Sequence, residues 1–191
     1  MTVILASSSM YRKELLNRLQ IPFLTLSPHI DESPLANERP IDLAERLAIE
    51  KARVIAEQHP DSVVIGSDQC ADLAGEIINK PGNHENAVLQ LKKASGNKMV
   101  FYTGLAVVSV QQSLAFSCVV ETQVKYKVLS EEIIENYLNK EQPYDCAGSG
   151  KIESLGIVLV DWIKSDDPSA LIGLPLIKTA DYLSRCGIKL L

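Results

Sequence analysis

The sequence predicts an α/β or α+β fold, a mixed β-sheet flanked by helices, and three observations carry that expectation. Short apolar, β-branched runs alternate along the chain with segments of helical period. Two long strand candidates, Lys98 to Val110 and Ala115 to Val128, are joined by the polar turn Gln111-Gln112-Ser113, which marks an antiparallel pair. The 191 residues hold no repeat, low-complexity tract or linker, so one domain, 1–191, accounts for the chain.

Taken in order, Val3 to Ala6 is a short apolar strand, broken by Ser7-Ser8-Ser9. Met10 to Leu19 places Leu15, Leu16 and Leu19 at helical spacing, with Ser9 as the N-cap. Phe23 to Leu26 reads as a second strand, and the proline-bearing segment from Ser27 to Pro40 as a loop. Ile41 to Gln58 is a long amphipathic helix with Leu43, Leu47 and Ile55 inward. Ser62 to Gly66 is a β-branched central strand, and Cys70 to Ile78, around Gly75, a small hairpin. Glu85 to Ala94 forms a helix. Ser130 caps another that runs to Asn139, with Glu131 and Glu132 at its positive end. Gly156 to Val160 is expected as a strand. The last helix has Pro175 near its start and Gly187 just past its end.

Composition narrows the function classes. The apolar fraction is 46% and the formal net charge is −5, which disfavours a long nucleic acid as the main partner. A small anionic substrate would need a local cluster of basic side chains. The apolar start of the chain is too short for a signal peptide, and no apolar run is long enough for a membrane helix, so a cytoplasmic protein without membrane association is expected. The four cysteines, Cys70, Cys118, Cys146 and Cys186, contain no CxxC pair and read as reduced, mostly buried thiols.

Three places carry candidate chemistry. At the junction Ser7-Ser8-Ser9-Met10-Tyr11-Arg12, small residues and a helix N-terminus suit a phosphate, with Arg12 as a bidentate partner; simple helix capping is the alternative. Gly66-Ser67-Asp68-Gln69 is expected directly after a strand, where Asp68 can hold a metal ion, orient a water or merely cap a turn. Asp31-Glu32, Lys51 and Lys80 complete the charged set, since a magnesium site uses one or two carboxylates plus substrate phosphates. The fragment Gly148-Ser149-Gly150-Lys151 is not a P-loop: Asp145 stands where the first glycine belongs, and Ile152 follows the lysine. No HExxH, GxSxG or GxGxxG occurs, and three histidines make a histidine-rich metal site improbable.

In order along nearly the whole chain, these elements resemble the Maf family of nucleotide pyrophosphatases. The resemblance rests on Leu5-Ala6-Ser7-Ser8-Ser9 with Arg12, Asp31-Glu32, Glu50-Lys51-Ala52, Gly66-Ser67-Asp68-Gln69, Lys80-Pro81, Tyr102-Thr103-Gly104, Ala147-Gly148-Ser149 and Ile172-Gly173-Leu174-Pro175. It implies a Maf/ITPase-like fold, an elongated mixed sheet with two lobes and a deep cleft. It also implies cleavage between the α and β phosphates with a divalent cation, Mg²⁺ or Mn²⁺. By motif, Asp68 is the catalytic base or a metal ligand, and Glu32 organises metal and water. Arg12, Lys51 and Lys80 bind phosphate beside Ser7, Ser8 and Ser9. A homodimer is a further family expectation.

The combination Tyr11, Gln69 and Glu153 resembles the branch acting on 7-methyl-GTP. Glu153 can accept both donors of the guanine edge, and the aromatic face of Tyr11 suits a cationic base. Tyr11 stands where that branch has tryptophan, and Gly150 and Ser154 also differ from its bulky residue and glycine. The alternatives are a dTTP/UTP or broad-specificity pyrophosphatase, and a non-catalytic nucleotide-binding regulator of cell division.

Overall fold

The computed structural model describes residues Met1–Leu191. Its strands are β1 (Thr2–Ala6), β2 (Phe23–Leu26), β3 (Ser62–Leu73), β4 (Glu76–Ile78), β5 (Lys98–Ser109), β6 (Leu114–Tyr126) and β7 (Val160–Ser165). The helices are α1 (Met10–Asn17), α2 (Pro40–Gln58), α3 (His84–Ala94), α4 (Glu131–Glu141) and α5 (Leu176–Arg185). The seven strands form one sheet in the order β2-β1-β3-β5-β6-β7, with β4 on β3. It is mixed: β1 is parallel to β2 and β3, whereas β4 is antiparallel to β3 and β7 to β6. The α/β expectation holds, and no helix is long and apolar enough to cross a membrane.

The chain divides into two compact units. The first contains Met1–Gln69, Thr103–Val120 and Asp167–Leu191. Its sheet is buried on both faces, and strand alternation sorts the core. Val3, Leu5, Val63, Ile65, Leu105 and Val107 pack with Leu15 and Leu16 of α1 and with Tyr182 and Leu183 of α5. Their neighbours Ile4, Ala6, Val64, Ala106 and Val108 pack with Ala48, Ala52, Ile55 and Ala56 of α2. Two glycines let α2 lie on that second face. A Cβ at Gly66 of β3 would stand 2.2 Å from the Ala48 carbonyl oxygen, and one at Gly104 of β5 would stand 2.1 Å from that of Ala44.

That close approach corrects the expected strand end at Gly66. The glycine marks a seat for α2, not a turn, so β3 runs on for 12 residues and Asp68 lies in mid-strand. The hairpin still forms, closed by Ala74 and Gly75 between Leu73 and Glu76.

The second unit contains Cys70–Tyr102 and Glu121–Asp166. Here α3 packs on α4, and Leu91, Met99, Ile134, Tyr137, Leu138 and Leu159 are buried. Asn83 and Ser130 cap the two helices, accepting from the amides of Asn86 and Ile133. The strand expected from Gly156 is a 3-10 turn over Leu155–Leu159, and β7 begins only at Val160. Gly156 explains the difference. Its amide donates to the Lys151 carbonyl at 2.9 Å, and a Cβ there would stand 2.5 Å from that oxygen, so the chain folds back locally before it extends. The four cysteines are free thiols; Cys70 and Cys186 are buried, Cys118 and Cys146 only partly.

Candidate active site

The site is organised by a buried lysine. On α2, Ala44, Ala48, Lys51 and Ala52 recur at three- and four-residue spacing, so one face carries three small residues and one cation. The alanines fit the glycine seats of β3 and β5. This brings Lys51, only 5% exposed, onto the same side of β3 as Asp68, which is 8% exposed. Lys51 Nζ lies 2.6 Å from Asp68 Oδ1 and 2.8 Å from Glu32 Oε1. A buried ammonium thus gathers two carboxylates, one rigid in mid-strand and one more exposed on the loop before α2.

That loop is held by Arg46 of α2. Its guanidinium donates to both carboxylate oxygens of Glu38 at 2.6 and 2.8 Å and to the Ser33 carbonyl at 3.0 Å, next to Glu32. The Glu38 pairing raises the Arg46 pKa above its ordinary value. The neighbouring Asp31 carboxylate accepts from the Ser33 amide at 2.9 Å, a local Asx turn.

Arg12 approaches from α1. Ser9 caps that helix as expected, its Oγ accepting the Arg12 amide, and Ser7 Oγ accepts the Ser9 amide at 3.1 Å. Ser7 and Ser9 therefore shape this helix entrance, and Ser8 between them is exposed. Arg12 Nε donates to the Gly173 carbonyl at 2.9 Å, which directs the guanidinium fork. Burial lowers the Arg12 pKa, while the negative charges of Asp68 and Glu32 pull the other way. The guanidinium, which stays protonated, therefore feels both carboxylates.

Several positioning groups escaped the sequence reading. Ser67 Oγ donates to the carbonyls of Gly104 and Gly173, at 2.7 and 2.9 Å. Buried Asp167 accepts from Ser169 and from the Ile177 amide, and Ser169 Oγ donates to the Leu174 carbonyl. This network fixes the segment bearing Gly173, and through it both Arg12 and β3. Its sequence signal is Asp167-Pro168-Ser169, a turn cluster just ahead of a helix.

The specificity candidates are distributed. Tyr11 is half-buried on α1. Gln69 Nε2 donates to Thr103 Oγ1 and to the carbonyls of Ala170 and Leu171, each at 3.0 Å, so its amide group ties β3 to the Gly173 segment. Glu153 belongs to the second unit; burial of its carboxyl raises its pKa although the residue as a whole is exposed. Lys80, also in the second unit, is exposed just past β4.

In chemical terms, Asp68 and Glu32 supply hard oxygen donors of the kind Mg²⁺ or Mn²⁺ takes, while the point on which they converge is held by the Lys51 ammonium. No three Asp, Glu, His or Cys side chains assemble into a complete cage. A divalent cation here would be completed by phosphate oxygens and water.

A family model described as "Maf-like protein" matches residues 2–186. The chain is 50% identical over 188 residues to a protein of Polaromonas sp. named 7-methyl-GTP pyrophosphatase, covering 98% of this chain and 86% of that one. A protein of the same name from Albidiferax ferrireducens is 50% identical, covering 99% and 95% of the two chains. One from Nitrosococcus oceani is 49% identical, covering 100% and 96%. Among solved structures, the Ham1 protein of Staphylococcus aureus superposes with a TM-score of 0.47 at 13% identity, over 66% of this chain and 72% of that one.

Proposed function

This chain belongs to the Maf family, and from that premise we propose that it hydrolyses 7-methyl-GTP to 7-methyl-GMP and pyrophosphate with the help of a divalent cation. Within the structure, the observation that carries the chemistry is the buried ammonium of Lys51 drawing Asp68 and Glu32 together. The substrate is drawn from the curated relatives, which match this chain over nearly its full length and carry that name.

The reaction is attack of water on the α phosphorus, with rupture of the bond from that phosphorus to the oxygen bridging α and β. Asp68 accepts the proton lost by the attacking water. Its mid-strand position, with Lys51 beside it and α2 seated behind, keeps the accepting oxygen in one place. The departing pyrophosphate gains negative charge, which the Arg12 guanidinium and the Lys51 ammonium offset. Asp68 and Glu32 would hold the cation, which neutralises phosphate charge and polarises the anhydride. The contacts of Lys80 with phosphate, and of Tyr11, Gln69 and Glu153 with the base, are carried over from the family resemblance. Action in the cytoplasm, as a homodimer, belongs to the same reading.

The test is pyrophosphate release from 7-methyl-GTP, GTP, dTTP, UTP and CTP, with Mg²⁺ or Mn²⁺ and with EDTA. Metal-dependent turnover that favours 7-methyl-GTP is the expected result. Preference for a pyrimidine nucleotide would overturn the specificity. Absence of turnover by folded, nucleotide-binding protein would overturn the reaction.

A further inference from the structure

We infer that Glu141 is a specificity-positioning residue: with Tyr137 it clamps the loop that carries Glu153 and so sets the aim of that carboxylate. The inference rests on the reading of Glu153 as a base contact given above.

Tyr137 and Glu141 lie four residues apart at the end of α4 and therefore share a face. Both reach the same short loop. The Lys151 amide donates to the Tyr137 hydroxyl at 2.9 Å. On the other side of Glu153, the Ser154 hydroxyl and the Leu155 amide both donate to Glu141 Oε2, at 2.8 and 3.1 Å. The second oxygen, Oε1, pairs with Lys151 Nζ at 3.2 Å. Glu153 is thus bracketed: residues 151, 154 and 155 are tied to one helix face, and it stands between the ties. Inside the loop, the amides of Ser154 and Gly156 converge on the Lys151 carbonyl at 3.1 and 2.9 Å, so little slack remains.

The exposures fit a clamp. The side chain of Glu141 is only 10% exposed, and Tyr137 is buried at 3%. A carboxylate so enclosed is kept when its oxygens are all engaged. Burial opposes its charge, yet the hydrogen bonds from Ser154, Lys151 and Leu155 hold its pKa below the usual glutamate value. Its negative charge also adds to the burial that raises the pKa of Glu153. Ser154 is one of the chain's departures from its branch, and its hydroxyl supplies one of the four ties.

A double-mutant cycle in the full-length protein tests this, reading kcat and KM for 7-methyl-GTP and inhibition by inorganic pyrophosphate. Glu141→Ala is expected to raise KM about tenfold, to leave kcat within about twofold, and to leave pyrophosphate inhibition unchanged, because only the base end is mis-aimed. Glu141→Gln, which keeps an acceptor for Ser154 and Leu155, should recover most of that loss. Tyr137→Phe, a gentler cut, should move KM in the same direction. Combined with Glu153→Gln, Glu141→Ala should add nothing, since its effect passes through Glu153. Additive losses would overturn the inference. So would unchanged KM in Glu141→Ala and Tyr137→Phe when Glu153→Gln raises it. If Glu153→Gln itself leaves KM unmoved, the base contact fails first and the clamp loses its object.

Discussion

Lys51 of α2 and Asp68 of β3, 17 residues apart in sequence, form a buried ion pair with Nζ 2.6 Å from Oδ1. Because Lys51 also pairs with Glu32 at 2.8 Å, the ammonium keeps a partner when Asp68 is neutralised. Asp68→Asn should therefore remain folded by thermal melting while pyrophosphate release falls by about 10² to 10⁴. Substantial turnover in a folded Asn variant would remove Asp68 from the chemistry.

Lys51→Met should behave differently. It removes the ammonium 2.6 Å from buried Asp68 and leaves two carboxylates, Asp68 and Glu32, facing each other with only the more distant charge of Arg12 to offset them. A loss of about 3–5 kcal/mol is expected, read as a shift of the urea midpoint at unchanged slope. A shift below about 1 kcal/mol would mean that the pair is far better hydrated than its burial indicates.

Gly66→Ala places a methyl group 2.2 Å from the Ala48 carbonyl oxygen, with Ala52 behind it. The helix must move, at a cost of about 1–3 kcal/mol. Lys51 moves with it, so activity should fall more steeply than stability, by about 10² for a displacement near 1 Å. Wild-type turnover in this variant would show that the helix seat does not govern the site.

Glu153→Gln should weaken use of 7-methyl-GTP far more than use of any pyrimidine nucleotide. The same carboxylate carries a pH signature. Burial raises its pKa above the usual glutamate value. It therefore becomes neutral on acidification earlier than an ordinary glutamate does. KM for 7-methyl-GTP should rise as pH falls through that raised value, and Glu153→Gln should abolish the rise. An identical acid limb in wild type and variant would assign the titration elsewhere.

Much of this was readable from residue order. Period and caps located the helices, and β2 falls at the expected residues, Phe23–Leu26. Of the charged set Arg12, Asp31, Glu32, Lys51, Asp68 and Lys80, the structure brings Arg12, Glu32, Lys51 and Asp68 together in the first unit, whereas Lys80 is exposed in the second. What stayed hidden depends on close backbone approach. Gly66 looks like a strand terminator until Ala48 and Ala52 are seen against it, and Gly156 looks like the start of a strand until its amide meets the Lys151 carbonyl. The resemblance assigns Gln69 to the base, and the structure adds ties the sequence does not show: its amide group donates to Thr103, Ala170 and Leu171, partners at least 34 residues away in sequence. Local pattern has no access to such distant acceptors. The short spacing in Asp167-Pro168-Ser169 was visible, but its reach to Gly173 and Arg12 was not.

The paired gaps at Gly66 and Gly104 make activity an assay of assembly. Lys51 and Asp68 meet only when α2 has dropped into both. A refolding chain can therefore regain its helix signal early and still be inert. Turnover should return with the final docking of that helix, which makes it a sharper clock for native closure than circular dichroism.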